Sequence, residues 1–113
     1  MENNDTMTQG EIAPRNTNKR GRNWLLTWNN YTEDNLKWLE QYCILNCKDY
    51  AYQEEIGENG TKHLQIFIEY INPRHFNGVK EDFKLCHIEQ CKNKNACKLY
   101  CNKKATRNGI SVK

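Results

Sequence analysis

Apolar and polar residues alternate with period two along His63-Leu64-Gln65-Ile66-Phe67-Ile68, the pattern of a half-buried β-strand. Residues two apart share a face of a strand, so His63 and Gln65 are expected on one side and Leu64, Ile66 and Ile68 in a core on the other. Residues 50–56 predict a partner strand, with Tyr50, Tyr52 and Glu54 on one face and Ala51, Gln53 and Glu55 on the other. Gly57-Glu58-Asn59-Gly60 supplies a turn between them, which makes the two strands a hairpin. Residues 23–29 are rich in bulky and β-favouring side chains and read as an earlier strand, and residues 85–90 as a short later one.

Helical spacing fills the gaps. Leu36, Leu39, Tyr42, Cys43 and Cys47 make one apolar stripe on a helix running to about Asn46. Thr32 is placed to cap it, with Glu33 and Asp34 at the positive end of its dipole. Asn72-Pro73 is expected to stop the His63 strand. A helix over 74–83 would then present Phe76, Val79 and Phe83 on one side, and a last helix spans 94–104. The order β-α-β-β-α-β, then a helix, predicts an α+β fold: an antiparallel β-sheet with helices on one face and the other face open for a ligand.

Residues 1–22 lack periodicity and end in Asn18-Lys19-Arg20-Gly21-Arg22, so they are expected to form a disordered basic tail. Residues 23–104 are expected to form the folded domain and 105–113 a frayed tail. Lys19, Arg20 and Arg22 could meet phosphates, serve nuclear import, or be simply solvated.

The chain's 113 residues suffice for one domain with a modest core. Seventeen basic against fourteen acidic residues give a net charge of +3, a mild lean toward polyanions. Mean hydropathy is −1.01, so much of the chain is surface or tail. No apolar run approaches the roughly 20 residues of a membrane span, and no secretory apolar segment opens the chain. A soluble, non-secreted protein with no membrane partner is expected. The six cysteines are then expected as reduced thiols. A cysteine-bound zinc module is a rival, although the spacings lack the close pairs of structural sites.

Candidate chemistry gathers on the hairpin. His63 and Gln65 offer an imidazole nitrogen and an amide oxygen side by side. Glu55 across the hairpin would add a carboxylate, with Glu54 as its competitor. Such a set suits Mg²⁺ or Mn²⁺. On the last helix Tyr100 and Lys103 are three apart and share a face. A phenol beside an ammonium is a candidate nucleophile for phosphoryl transfer. Trp28 and Tyr31 could stack on bases or belong to the core, and His75 and His87 are further imidazoles.

These pieces in order resemble a known family. Asn23-Trp24-Leu25-Leu26-Thr27-Trp28-Asn29-Asn30, His63-Leu64-Gln65 and Tyr100-Cys101-Asn102-Lys103 are similar to the three motifs of replication initiator proteins of small circular single-stranded DNA viruses, such as circoviruses and nanoviruses. The likeness covers about 23–103. It implies the HUH endonuclease class, with a ferredoxin-like, RNA-recognition-like βαββαβ topology. By the resemblance, Glu55, His63 and Gln65 would hold Mg²⁺ or Mn²⁺, Tyr100 would be the nucleophile and Lys103 would assist at the phosphate. Thr27, Asn29 and Asn30, with Arg20 and Arg22, would hold DNA. Ile66 departs from the family's frequent glycine after the second motif. The implied activity is nicking and joining of single-stranded DNA at a viral origin hairpin, through a 5′-phosphotyrosine link, to start rolling-circle replication. The implied setting is the host nucleus, with host replication machinery as a partner. No G-x-x-x-x-G-K-[ST] loop occurs, so the helicase domain of such proteins is expected to be absent from this chain. The rival from another class is a non-catalytic single-strand-binding module of the RNA-recognition type.

Overall fold

The hairpin of alternating residues forms the middle of the sheet. A computed structural model describes residues 19–102 and the backbone of 107–112. The elements are β1 (Arg20–Asn29), α1 (Glu33–Asn46), β2 (Cys47–Ile56), β3 (Lys62–His75), α2 (Phe76–Asp82), β4 (His87–Gln90), α3 (Lys94–Tyr100) and β5 (Arg107–Val112). Among the described residues the sheet has the order β4-β1-β3-β2-β5, and every pairing is antiparallel. This is an α+β fold.

The local signals act as expected. Thr32 caps α1: its hydroxyl accepts from the Asn35 amide at 3.1 Å, and the Asn35 side chain accepts from the Thr32 amide at 2.8 Å. Leu39, Tyr42 and Cys43 are buried against the sheet and Leu36 packs beside them. Trp24, Leu26 and Trp28 of β1, Leu64, Ile66 and Ile68 of β3, and Val79 and Phe83 of the α2 region complete this main core. Trp28 and Tyr31 lie inside it, so neither ring is a base-stacking platform. Ile66 is fully buried on the same side, away from His63 and Gln65.

Several expectations are corrected. β1 starts at Arg20, not at residue 23, because Arg20 and Gly21 pair with His75 and Arg74. β3 correspondingly runs through Asn72-Pro73 to His75. An irregularity between Gly21 and Asn23 lets Pro73 fall between ladder pairs, where its missing N–H is harmless. α2 begins at Phe76, after β3 has spent residues 74 and 75 on that pairing.

At the C-terminal end, residues 107–112 form β5 on the outer edge of β2, where a frayed tail was expected. An unpaired strand edge is a ready template, and the tail's lack of periodicity conceals that use. α3 ends at Tyr100, and it does not join α1 and α2. Cys101, Cys97 and Cys91 pack on Ala51, Phe67 and Leu25, on the opposite face of the sheet. The face expected to be open is therefore half covered.

Cys91 and Cys97 are drawn together by the β4–α3 connection, Cα atoms 6.5 Å apart, and form a disulfide in place of two reduced thiols. Cys43, Cys47, Cys86 and Cys101 are free and buried. The expected tail over residues 1–18, Lys103 and residues 104–106 lie outside the described residues. No described helix is long and apolar enough to cross a membrane.

Candidate functional site

On the face carrying α3, the strands bring polar side chains into two neighbouring rows. Asn29, His63 and Glu55 are cross-strand partners in one row, and Thr27, Gln65 and Gln53 in the next. Strand alternation makes these the same-face neighbours of Leu25, Phe67 and Ala51, which lie under α3. The three expected ligands, Glu55, His63 and Gln65, are thus adjacent.

Their contacts are specific. Glu55 is a buried carboxylate, 4% exposed. Its Oε1 lies 3.0 Å from His63 Nε2, and its Oε2 accepts from Gln53 Nε2 at 2.9 Å. Gln53 is fully buried, so this hydrogen bond fixes which way the carboxylate turns. Gln65 donates from Nε2 to the Leu26 carbonyl at 3.0 Å, which directs its amide oxygen toward the Thr27 hydroxyl at 3.4 Å. Glu54 is on the other face. It accepts from the Tyr31 phenol, and burial together with that carboxylate raises the phenol's pKa, so the proton stays on the tyrosine. Alternation therefore puts Glu55, and not Glu54, on the face of His63 and Gln65.

The donor types suit a hard divalent ion, and two of the three, Glu55 Oε1 and His63 Nε2, stand 3.0 Å apart in direct contact with each other. The donor types are carboxylate, imidazole and amide oxygen, and Gln53 behaves as an outer partner that orients a ligand. Among the described residues no three His, Cys, Asp or Glu side chains gather as a metal-binding group. The candidate set has two of these and relies on a glutamine for the third. The cysteines are dispersed over both faces of the sheet, which leaves the zinc reading without a ligand cluster among the described residues.

Tyr100 is on the last turn of α3 and is 45% exposed. The neighbouring Cys101 packs on Phe67 and Ala51, one strand row from Gln65 and Gln53, a step of about 7 Å. α3 thus carries Tyr100 toward the hairpin end of the face. Lys103 lies outside the described residues.

The remaining expected DNA contacts fall into two places. Thr27 lies in the Gln65 row, and the exposed Asn29 and Asn30 follow at the end of β1. Asn30 has φ +56° and its amide donates to the Lys62 carbonyl at 2.9 Å, locking β1 to the hairpin. Arg20 and Arg22 are exposed at the other end of β1, roughly 20 Å or more from Asn29 along the strand. They are not part of the same cluster. His87 pairs with Thr27 across β1 and β4 and contacts Glu89 at 2.9 Å. His75 is exposed at the start of α2.

Sequence reasoning overlooked Gln53 as an orienting residue. Its signal was available: a polar residue predicted on the same strand face as Glu55, next to it in that alternation. It also gave no weight to Asp49 and Glu69, whose partners come from α3.

Comparison with known proteins agrees with the motifs. A family model described as "Putative viral replication protein" matches residues 21–104. The replication-associated protein of pigeon circovirus is 31% identical over 83 residues, covering 73% of this chain. This chain spans 26% of that relative's length. The chain belongs to the viral replication protein family, that of the replication initiators of circular single-stranded DNA viruses.

Proposed function

We propose that this domain nicks and joins single-stranded DNA at a viral origin hairpin by transesterification on Tyr100. The observation that supports the reading most is the meeting of Glu55, His63 and Gln65 on the sheet face on which α3, the helix that ends in Tyr100, packs. Glu55, His63 and Gln65 would hold Mg²⁺ or Mn²⁺. A bound ion would supply Lewis-acid polarisation of a phosphate oxygen and offset charge that builds up there.

The other steps belong to the chain's own residues. Thr27, Asn29 and Asn30 hold the strand beside the site, while Arg20 and Arg22 engage phosphates further along it. Tyr100 loses its phenolic proton and its oxygen attacks phosphorus. The bond from phosphorus to the 3′-oxygen breaks, and that oxygen takes up a proton. One phosphodiester has become a 5′-phosphotyrosine diester and a free 3′-OH that a polymerase can extend. Lys103 assists by offsetting phosphate charge. Joining is the same exchange run backwards, so ATP is not required. The setting is the host nucleus, beside host replication proteins and the helicase portion of a longer protein.

The RNA-recognition alternative requires aromatic rings presented on the sheet. Phe67 is the aromatic that the described strands offer on this face, and it is fully buried under α3. That favours the nicking reading. Incubation with an origin-type hairpin and Mn²⁺ should give a covalent adduct on a denaturing gel. Tyr100→Phe should abolish the adduct and retain DNA binding, and EDTA should stop adduct formation. An adduct formed by the Phe variant sinks the assignment of Tyr100, and adduct formation in chelator removes Glu55, His63 and Gln65 from a metal role.

A further inference from the structure

Beyond the site, the sheet face under α3 holds a group of charges for which the reaction has no direct use. Asn23, Glu69 and Asp49 are cross-strand partners in one row. Lys98 Nζ bonds both Asp49 carboxylate oxygens, at 3.1 and 2.9 Å. Lys94 Nζ lies 2.8 Å from Glu69 Oε1 and 3.4 Å from Asp49 Oδ2. Both lysines are on α3, four residues apart and so on one side of the helix. Burial alone would raise the Asp49 carboxyl's pKa, but the hydrogen bond and charge of Lys98 hold it below the ordinary value. Glu69 is only 8% exposed. A buried carboxylate of this kind would be costly without the Lys94 ammonium.

This row lies six residues along β3 from His63, about 20 Å away. It cannot touch a phosphate held by Glu55 and His63. It does grip the helix that carries Tyr100. α3 has only seven residues, none of them fully buried, so its apolar footing is slight. Cys97 and Cys101 rest on Ala51, Phe67 and Leu25, and the Cys91–Cys97 disulfide ties the helix at one point to the end of β4. The two-lysine, two-carboxylate clamp adds a direction to that single tether, because its four charges engage α3 at two positions one turn apart.

We propose that Asp49 and Glu69, through Lys98 and Lys94, are positioning residues for Tyr100. Their function is to set the register of α3 on the sheet, and with it the reach of the phenol to the scissile phosphate. The inference rests on the proposed role of Tyr100. Misplacement of a reacting group by about 1 Å can cost on the order of 10²-fold in rate, so a distal clamp is a sufficient lever.

The test is single-turnover cleavage of a hairpin oligonucleotide with Mn²⁺, read beside DNA affinity and Tm. Asp49→Asn and Lys98→Met should each slow the cleavage step at saturating DNA by about tenfold or more. Their DNA Kd should change less than about twofold, a split between chemistry and binding. The exchanged pair Asp49→Lys with Lys98→Asp should recover most of the lost rate. Full cleavage rates in the folded single variants overturn the inference. So does a folded exchanged pair that is no faster than either single variant. Should the exchanged pair not fold, Glu69→Gln replaces it, with a drop in cleavage rate at unchanged Kd expected and an unchanged rate overturning the inference. Tyr100→Phe is run alongside. If it still forms the adduct, the proposed function falls and takes this inference with it. If its adduct is lost while Asp49→Asn cleaves at the full rate, only this inference falls.

Discussion

The two faces of the sheet are built by opposite rules. The face under α1 and α2 is built from aromatic rings: Phe83 alone meets Trp28, Trp38 and Tyr42 at ring separations of 6.1, 5.3 and 4.9 Å. The other face has a small apolar patch of Ala51, Phe67 and Cys101, flanked by buried polar residues at 53, 55, 65 and 69. Buried polar groups are tolerated where each has a partner. Here the partners are the side chains of Gln53, His63 and Lys94 and the Leu26 carbonyl. One face therefore supplies stability that the other consumes in holding a charged, hydrogen-bonded site in fixed geometry.

That division can be broken from either side. His63→Ala should reduce adduct formation by at least about 10³-fold, while costing only about 1–3 kcal/mol of stability for the partner it takes from Glu55. A comparable fall in both quantities would erase the distinction between the faces. Phe83→Ala should cost about 3–5 kcal/mol in denaturant unfolding, with the cleavage rate per folded molecule retained. Gln53→Leu removes the hydrogen bond that turns Glu55. It should weaken Mn²⁺ binding by about 10–100-fold, measured by calorimetry, and an unchanged affinity would mean that Glu55 orients itself. Tyr31→Phe should cost only about 1 kcal/mol in stability and leave adduct formation unaltered, because Glu54 faces the wrong side of the sheet. A lost adduct there would return Glu54 to the candidate ligands.

What could be read from the sequence follows the range of the interactions concerned. The period-two run through His63, the Thr32 cap and the Leu36–Cys43 stripe are set by neighbours a few residues away, and the fold keeps them all. The assignment of Glu55 over Glu54 also needs only alternation and a turn. β5 was illegible because its partner, the free edge of β2, is more than fifty residues distant in sequence and its own residues carry no pattern. The extension of β1 to Arg20 was hidden for the same reason: its partners, Arg74 and His75, follow a proline that locally argues against a strand. The side on which α3 docks was equally hidden. A short helix with cysteines at positions 97 and 101 could rest on either face, and the lysines at 94 and 98 decide it only once Asp49 and Glu69 are known to lie beneath.

The turn between β2 and β3 is closed by the Gly57 amide on the Thr61 carbonyl at 2.9 Å and the Gly60 amide on the Gly57 carbonyl at 3.0 Å. Gly60 has φ +81°, a conformation most residues avoid. Its length sets which acid stands opposite His63. One residue more or fewer would slide β2 by a single step and bring Glu54, not Glu55, onto the site's face. This short surface connection, ordinarily the most permissive part of a chain to insertions and deletions, therefore behaves as a reading frame for the chemistry, in which only changes that preserve parity keep the carboxylate in place.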